Sequence, residues 1–305
     1  MYRTLILALS RRQGFARMVL KCPLTDSLVH QWVAGESWPQ ARSSVAALLD
    51  KGLKATVGFL APAVRTPDDA AMVTQTYLDA IDDLAHTGWA DQVDVCVNLS
   101  NVGLFVRDGE ALALANVTRI ATAAHSIGTT TTIGRETPAS AVKTRRIVQA
   151  LRRQFPDVGY TLQANLKRTE ADCRTVDGGR ARLVKGVYSA PASVMYVESH
   201  DVDLSYVRCM KALMESDATP LIATQDPVLI EIAQELAAHT NRGLTDFEFQ
   251  MLYGVRSVEQ ERLADLGHTV RVFVPFGPAW YPYVIRRLAE RPANLGLLCR
   301  STHRH

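Results

Sequence analysis

The segment Val93-Asp94-Val95-Cys96-Val97-Asn98-Leu99-Ser100 alternates branched apolar side chains with a carboxylate, a thiol and an amide. Alternation with a period of two belongs to an extended chain, whose successive side chains leave by opposite faces. One face then meets helices while the other fills a barrel interior. Arg271-Val272-Phe273-Val274 repeats the pattern. Working outward, strand-like runs fall at 54–60, 93–99, 129–133, 159–163, 181–186, 220–223, 247–252 and 269–274. Amphipathic stretches such as 68–87, 110–126 and 139–155 separate them and are long enough to return the chain to a neighbouring parallel strand. Eight such units predict an α/β fold, a closed (β/α)8 TIM-like barrel with an N-terminal helical segment. An open doubly wound sheet would need a phosphate-binding glycine turn, and neither GxGxxG nor GxxxxGK[ST] occurs.

Composition bounds the partners. With 47% hydrophobic and 21% charged positions, the chain can bury a sizeable core. No Pro/Gly/Ser linker divides it, so residues 1–305 read as one domain, with N-terminal helices over about 1–50 and the barrel over about 51–300. The 34 basic and 31 acidic residues are dispersed, which argues against nucleic acid or a membrane surface as partner. The densest basic run, Lys143, Arg145, Arg146, Arg152 and Arg153, is expected to be a solvated helix face. Cys22, Cys96, Cys173, Cys209 and Cys299 lack CxxC or metal spacing, Cys96 reads as core, and His125, His200, His239 and His268 are solitary. Reduced thiols in a cytoplasmic protein without a metal are the expectation. The apolar start is cut by Arg11 and Arg12, so it reads as a helix rather than a transmembrane segment.

In a barrel of this kind, chemistry sits where strands end and loops begin. Position alone selects Asn98, Ser100, Glu136, Gln163, Asn165, Lys185, Tyr188, Thr224 to Asp226, Gln250 and Tyr253. Three segments stand out further. Arg182-Leu183-Val184-Lys185-Gly186-Val187-Tyr188 places two cations on a buried strand with no carboxylate nearby in sequence. Burial requires a partner, either acids on adjacent strands or an anionic ligand, and Gly186 permits close approach to backbone. Phe247-Glu248-Phe249-Gln250-Met251-Leu252-Tyr253-Gly254 sets a polar pair in an apolar strand. After Phe273-Val274-Pro275-Phe276-Gly277, a helix carries Tyr283, Arg286, Arg287 and Glu290 at spacings of three and four. Two guanidinium groups beside a tyrosine suit a bidentate carboxylate, or else make a surface Arg-Glu helix.

Together RLVKGVY, FEFQMLYG and VRVFVPFG followed by WYPYVIRRLAERPANL resemble the proline dehydrogenase family, supported by LQANLKRTEADC and LIATQDPVLI, from about Trp38 to the C-terminus. The resemblance implies a flavoenzyme that binds FAD at the strand ends and oxidises L-proline or a closely related cyclic amino acid or amine by hydride transfer to flavin N5, giving a cyclic imine. It places Arg182 near N5. Gln163, Lys185, Gly186, Tyr188, Thr224, Gln225 and Gln250 would hold the cofactor. Arg286 and Arg287 would bind the substrate carboxylate, Tyr283 and Leu252 would wall its ring, and Glu290 would orient the arginines and contact the cofactor side. The electron acceptor is unspecified.

Departures from the family pattern cluster at the expected mouth. Asn98 stands for a lysine in a VKLS-like segment, and Gly134 for an aspartate in a TLD-like one. An acid-bearing loop after the first strand is replaced by Leu60-Ala61-Pro62-Ala63, while Asn165, Gln225 and Phe273 replace a tyrosine, a histidine and a tyrosine. Losing one charge-assisted contact in a dry pocket costs about 1.5–3 kcal/mol, but paired loss of lysine and aspartate leaves no buried charge uncompensated. Three readings follow: oxidation of proline, oxidation of another amine in specialised biosynthesis, or a redox-inactive barrel that binds a small anion or partner protein.

Overall fold

The computed structural model describes residues 31–134, 137–186 and 190–290, without the side chains of Arg286, Leu288, Ala289 and Glu290. Helix α1 (Trp38–Leu49) precedes β1 (Lys54–Phe59). Then come α2 (Pro67–Ala85), β2 (Val93–Val97), α3 (Gly109–Ser126), β3 (Thr130–Ile133), α4 (Ala141–Arg152), β4 (Gly159–Gln163), α5 (Thr169–Arg174) and β5 (Arg180–Val184). The chain continues through α6 (Ser199–Met214), β6 (Thr219–Ala223), α7 (Pro227–His239), β7 (Glu248–Leu252), α8 (Ser257–Asp265), β8 (Thr269–Phe276) and α9 (Trp280–Glu290). All neighbouring strands pair in parallel, and β8 closes on β1, giving a barrel in sequence order.

Local chemistry explains the helix starts. Before α2, Thr66 accepts from the Asp69 amide at 3.1 Å, the Asp69 carboxylate accepts from the Thr66 amide at 2.9 Å, and Pro67 opens the first turn. Asp226 caps α7 by accepting from the Val228 amide at 3.1 Å. The valines at 57, 95, 97, 272 and 274 join Tyr77, Ile120, Val148, Met210 and Ala233 of the helices in one hydrophobic core. On the other face of the strands Thr56, Asp94, Arg180, Arg182, Glu248, Gln250 and Arg271 are buried as well.

The strand boundaries differ from expectation at the site end. β2 stops at Val97, and Leu99–Val102 forms a 3-10 turn that closes on Gly103 at φ 108°. β5 stops at Val184, two residues short, because Gly186 turns the chain at φ 97°. β8 instead runs two residues past the expected end, since the Leu60 amide continues the ladder onto the Phe276 carbonyl at 2.6 Å. In the basic run, Arg145 and Arg146 pair with Asp172 and Glu110 as a helix surface would. Arg152 departs from a solvated role: it donates to the carbonyls of Val158, Gly178 and Arg180 at 3.0, 3.3 and 2.8 Å and pins α4 under β5. Among the described residues, no helix is long and apolar enough to cross a membrane.

Candidate active site

Strand register brings the interior charges together. Thr56 lies opposite Asp94, and Asp94 opposite Thr130. Asp94 accepts from Arg180 at 2.8 Å and Arg182 at 3.2 Å, and from the hydroxyls of Thr56, Thr130 and Thr132 at 3.1, 2.8 and 2.8 Å. Burial by itself would raise its pKa, but Arg180, Arg182 and Arg271 outweigh that and hold the carboxyl well below the ordinary range. Glu248 receives a bidentate pair from Arg271, Nε and Nη2 each at 2.8 Å, and longer contacts from Arg180. Its burial cost is outweighed by Arg271 and Arg180 in turn, which bring it to about 2. Arg180, Arg182 and Arg271 thus face Asp94 and Glu248, the only buried aspartate and glutamate among the described residues, and one positive charge is left over.

Arg182 is the upper member of this set. Its Nε donates to Gln250 Oε1 at 2.5 Å, and Nη1 points at Cys96 Sγ at 3.3 Å. The buried strand cation is therefore ion-paired, but its carboxylate comes from β2 across the barrel rather than from an adjacent strand. Cys96 is buried, as its strand suggested, yet it faces this interior and lines the cavity above it. Lys185 pairs with Asp203 of α6 at 2.6 Å and Asp226 at 3.1 Å. Its burial lowers the pKa, and the hydrogen bonds to those two acids raise it overall.

A cavity of about 660 Å³ opens above these groups at the C-terminal ends of the strands. It gathers Arg182, Lys185, Gly186, Thr224, Gln225, Gln250, Leu252, Tyr283 and Arg287 from the expected set. Gln163 is buried at the end of β4 but does not line it, whereas Thr161 of the same strand does. Tyr188, Glu136 and the side chains of Arg286 and Glu290 lie outside the described residues. Arg287 stacks on Tyr283, with Cζ 5.4 Å from the ring centroid.

The altered mouth positions are coupled through glycines. A Cβ on Gly134 would overlap Asn98 Oδ1, one on Gly58 would overlap the Phe273 ring, and one on Gly186 would overlap the Asn165 carboxamide. Asn98, Phe273 and Asn165 thus each lie over bare backbone. Asp94, Arg271, Arg180 and Asp203 support the site and were not selected by position in the sequence. The first two were visible as charged members of alternating strands, but Asp203 sits on a helix whose approach only the fold defines.

A cation-lined cavity at the C-terminal mouth of a closed (β/α)8 barrel is the arrangement of a TIM-barrel enzyme. A sequence model described as proline dehydrogenase matches residues 41–300. Proline dehydrogenase 1 of Bacillus subtilis (strain 168) is 31% identical over 296 residues, 96% of each chain. Proline dehydrogenase of Deinococcus radiodurans is 31% identical over 299 residues, 96% of this chain and 95% of that one. The chain belongs to the proline dehydrogenase family, and so is a flavin-dependent oxidoreductase acting on a CH–NH group. Among solved structures, proline utilization A from Bdellovibrio bacteriovorus inactivated by N-propargylglycine superposes with a TM-score of 0.81 at 19% identity, over 87% of this chain. This likeness shows the barrel fold, and the present chain spans 33% of that longer protein.

Proposed function

We propose that the chain oxidises L-proline, or a closely related cyclic secondary amino acid, to the cyclic imine. The observation that carries this reading is the gathering of Arg182, Lys185, Gln250, Tyr283 and Arg287 around one strand-end cavity in a chain of this family. FAD, when bound, supplies the acceptor for the hydride leaving the ring carbon next to nitrogen, and the amine proton goes to solvent. The residues fit such a group. The cavity volume lies within the roughly 300–1,000 Å³ of ligand sites. Gly186 keeps the end of β5 open because a side chain there would collide with Asn165. Arg182, Lys185, Thr224 and Gln250 offer the donors that flavin carbonyls and a pyrophosphate require.

Within that arrangement, Arg182 provides fixed positive charge where electron density accumulates, already oriented by Gln250 and Asp94. Lys185 and Thr224 would hold the phosphate side. Gln225 lines the same region, with Gln163 supporting from β4. Arg287, with Arg286 from the same helix, would grip the substrate carboxylate, while Tyr283 and Leu252 wall its ring and exclude water. Tyr188 and Glu290 are assigned to the cofactor and arginine pair by family position. Five scattered cysteines, an odd number without a CxxC pair, support a reducing, cytoplasmic setting.

The test is the visible spectrum of purified protein, freed of excess FAD and titrated anaerobically with L-proline. Bleaching of a bound-flavin band supports proline oxidation. A band that persists with proline but bleaches with another cyclic amine moves the substrate. Failure to bind FAD after reconstitution removes the reading.

A further inference from the structure

The Gln250 carboxamide has two chemically opposite ends, and Arg182 needs the oxygen end, because a guanidinium only donates. What turns that end toward Arg182 lies below it. Gln250 Nε2 donates to Glu248 Oε2 at 3.1 Å, two residues earlier on the same face of β7. An ionised carboxylate only accepts, so it can receive the amide nitrogen and rejects the oxygen. Glu248 is itself immobilised: Arg271 holds both its oxygens at 2.8 Å, and Arg271 Nη1 is tied to the carbonyls of Ala55 and Gln92 at 3.0 Å each. A directed chain therefore runs from backbone at the closed end of the barrel through Arg271, Glu248 and Gln250 to Arg182 at the cavity floor.

We propose that Glu248 is a positioning residue, which fixes the orientation of the Gln250 amide and through it the Nε edge of Arg182. This rests on the reading that a flavin occupies the cavity above. Asp94 holds Nη2 of the same guanidinium at 3.2 Å, so loss of Glu248's grip leaves Arg182 charged and paired but free to tilt. The role is one of direction rather than charge, which the choice of variant can separate.

Glu248→Asp keeps the negative charge for Arg271 and Arg180 while withdrawing the carboxylate from Gln250 by one methylene. Two readouts apply. In protein with ¹⁵N-labelled arginine, the Arg182 Nε–H resonance, assigned by its loss in Arg182→Lys, is expected to be protected from solvent exchange in the parent and to lose that protection roughly tenfold in Glu248→Asp. With FAD bound, a tenfold loss of preference for the reduced flavin would lower the two-electron midpoint potential by about 30 mV. In an Arg182→Lys background, Glu248→Asp should leave the potential unmoved, because the relay no longer has its terminus. An unchanged Arg182 resonance, or a potential shift of the same size with and without Arg182, overturns the proposal. Should Glu248→Asp not fold, Glu248→Gln is read by the same resonance. Absence of flavin binding in the parent protein would defeat the flavin reading, while the exchange measurement still decides the relay.

Discussion

Replacing Asp94 by asparagine should strike the barrel harder than any surface substitution. Asp94 is fully buried and accepts from Arg180, Arg182 and three threonine hydroxyls. Neutralising it leaves three guanidinium groups facing Glu248 alone. Removing one partner of a buried ion pair costs about 3–5 kcal/mol, against a total stability of roughly 5–15 kcal/mol. At about 2 °C per kcal/mol for a chain of this size, Tm should fall by about 6–10 °C. The assay is thermal unfolding followed by circular dichroism at neutral pH, on Asp94→Asn and on Asp94→Asn combined with Arg180→Met. The second change removes one stranded cation, restores a net charge of one in the interior, and should recover roughly half of the loss. A single variant that melts within about 2 °C of the parent would refute the view that Asp94 neutralises the interior.

Acid should unfold the protein through the same network. Glu248 has a folded pKa lowered from 4.5 to about 2, so its stabilisation of about 3 kcal/mol is fully present above pH 4.5 and lost as pH falls toward 2; denaturant midpoints that stay flat across that window would contradict it. Gly186→Ala forces a φ near 97° on a residue with a Cβ and drives Asn165 out of place, so FAD affinity measured by fluorescence quenching should drop by roughly ten- to a hundredfold. Arg287→Ala removes a charge-assisted contact worth about 1.5–3 kcal/mol and should raise the substrate KM by roughly ten- to a hundredfold; an unchanged KM would exclude Arg287 from carboxylate binding. Gly134→Ala should displace the Asn98 carboxamide and change kcat/KM in the parent but have no added effect in Asn98→Ala, and additive effects in the double variant would show that the two do not act as a unit.

The barrel was legible because its strands carry two incompatible faces. Val95 and Val97 against Asp94 and Cys96 can be satisfied only by an extended chain between different environments, and eight such runs separated by helical stretches leave few ways to close. The mouth was legible for a related reason: Lys185, Thr224, Gln250 and Leu252 fall where strands end, and strand ends in such a barrel converge. Gln163 shows the limit of that rule, since its position at the end of β4 was right while the facing side chain is Thr161. Arg152 shows another, because a helical basic run says nothing of which arginine will meet the carbonyls of a neighbouring loop.

The sequence by itself determined the alternation, the order of elements, the cations destined for burial and the residues that differ from the family at the mouth. Tertiary structure alone decided how the buried charges are balanced. Arg182 finds Asp94, 88 positions away, because β5 and β2 face each other across a barrel only a side chain wide. Asn98 lies over Gly134 because the ends of β2 and β3 are laid side by side by pairing. Coulombic and steric partnerships depend on distance in space, and a periodic pattern along the chain encodes which face a residue takes but not what stands opposite it.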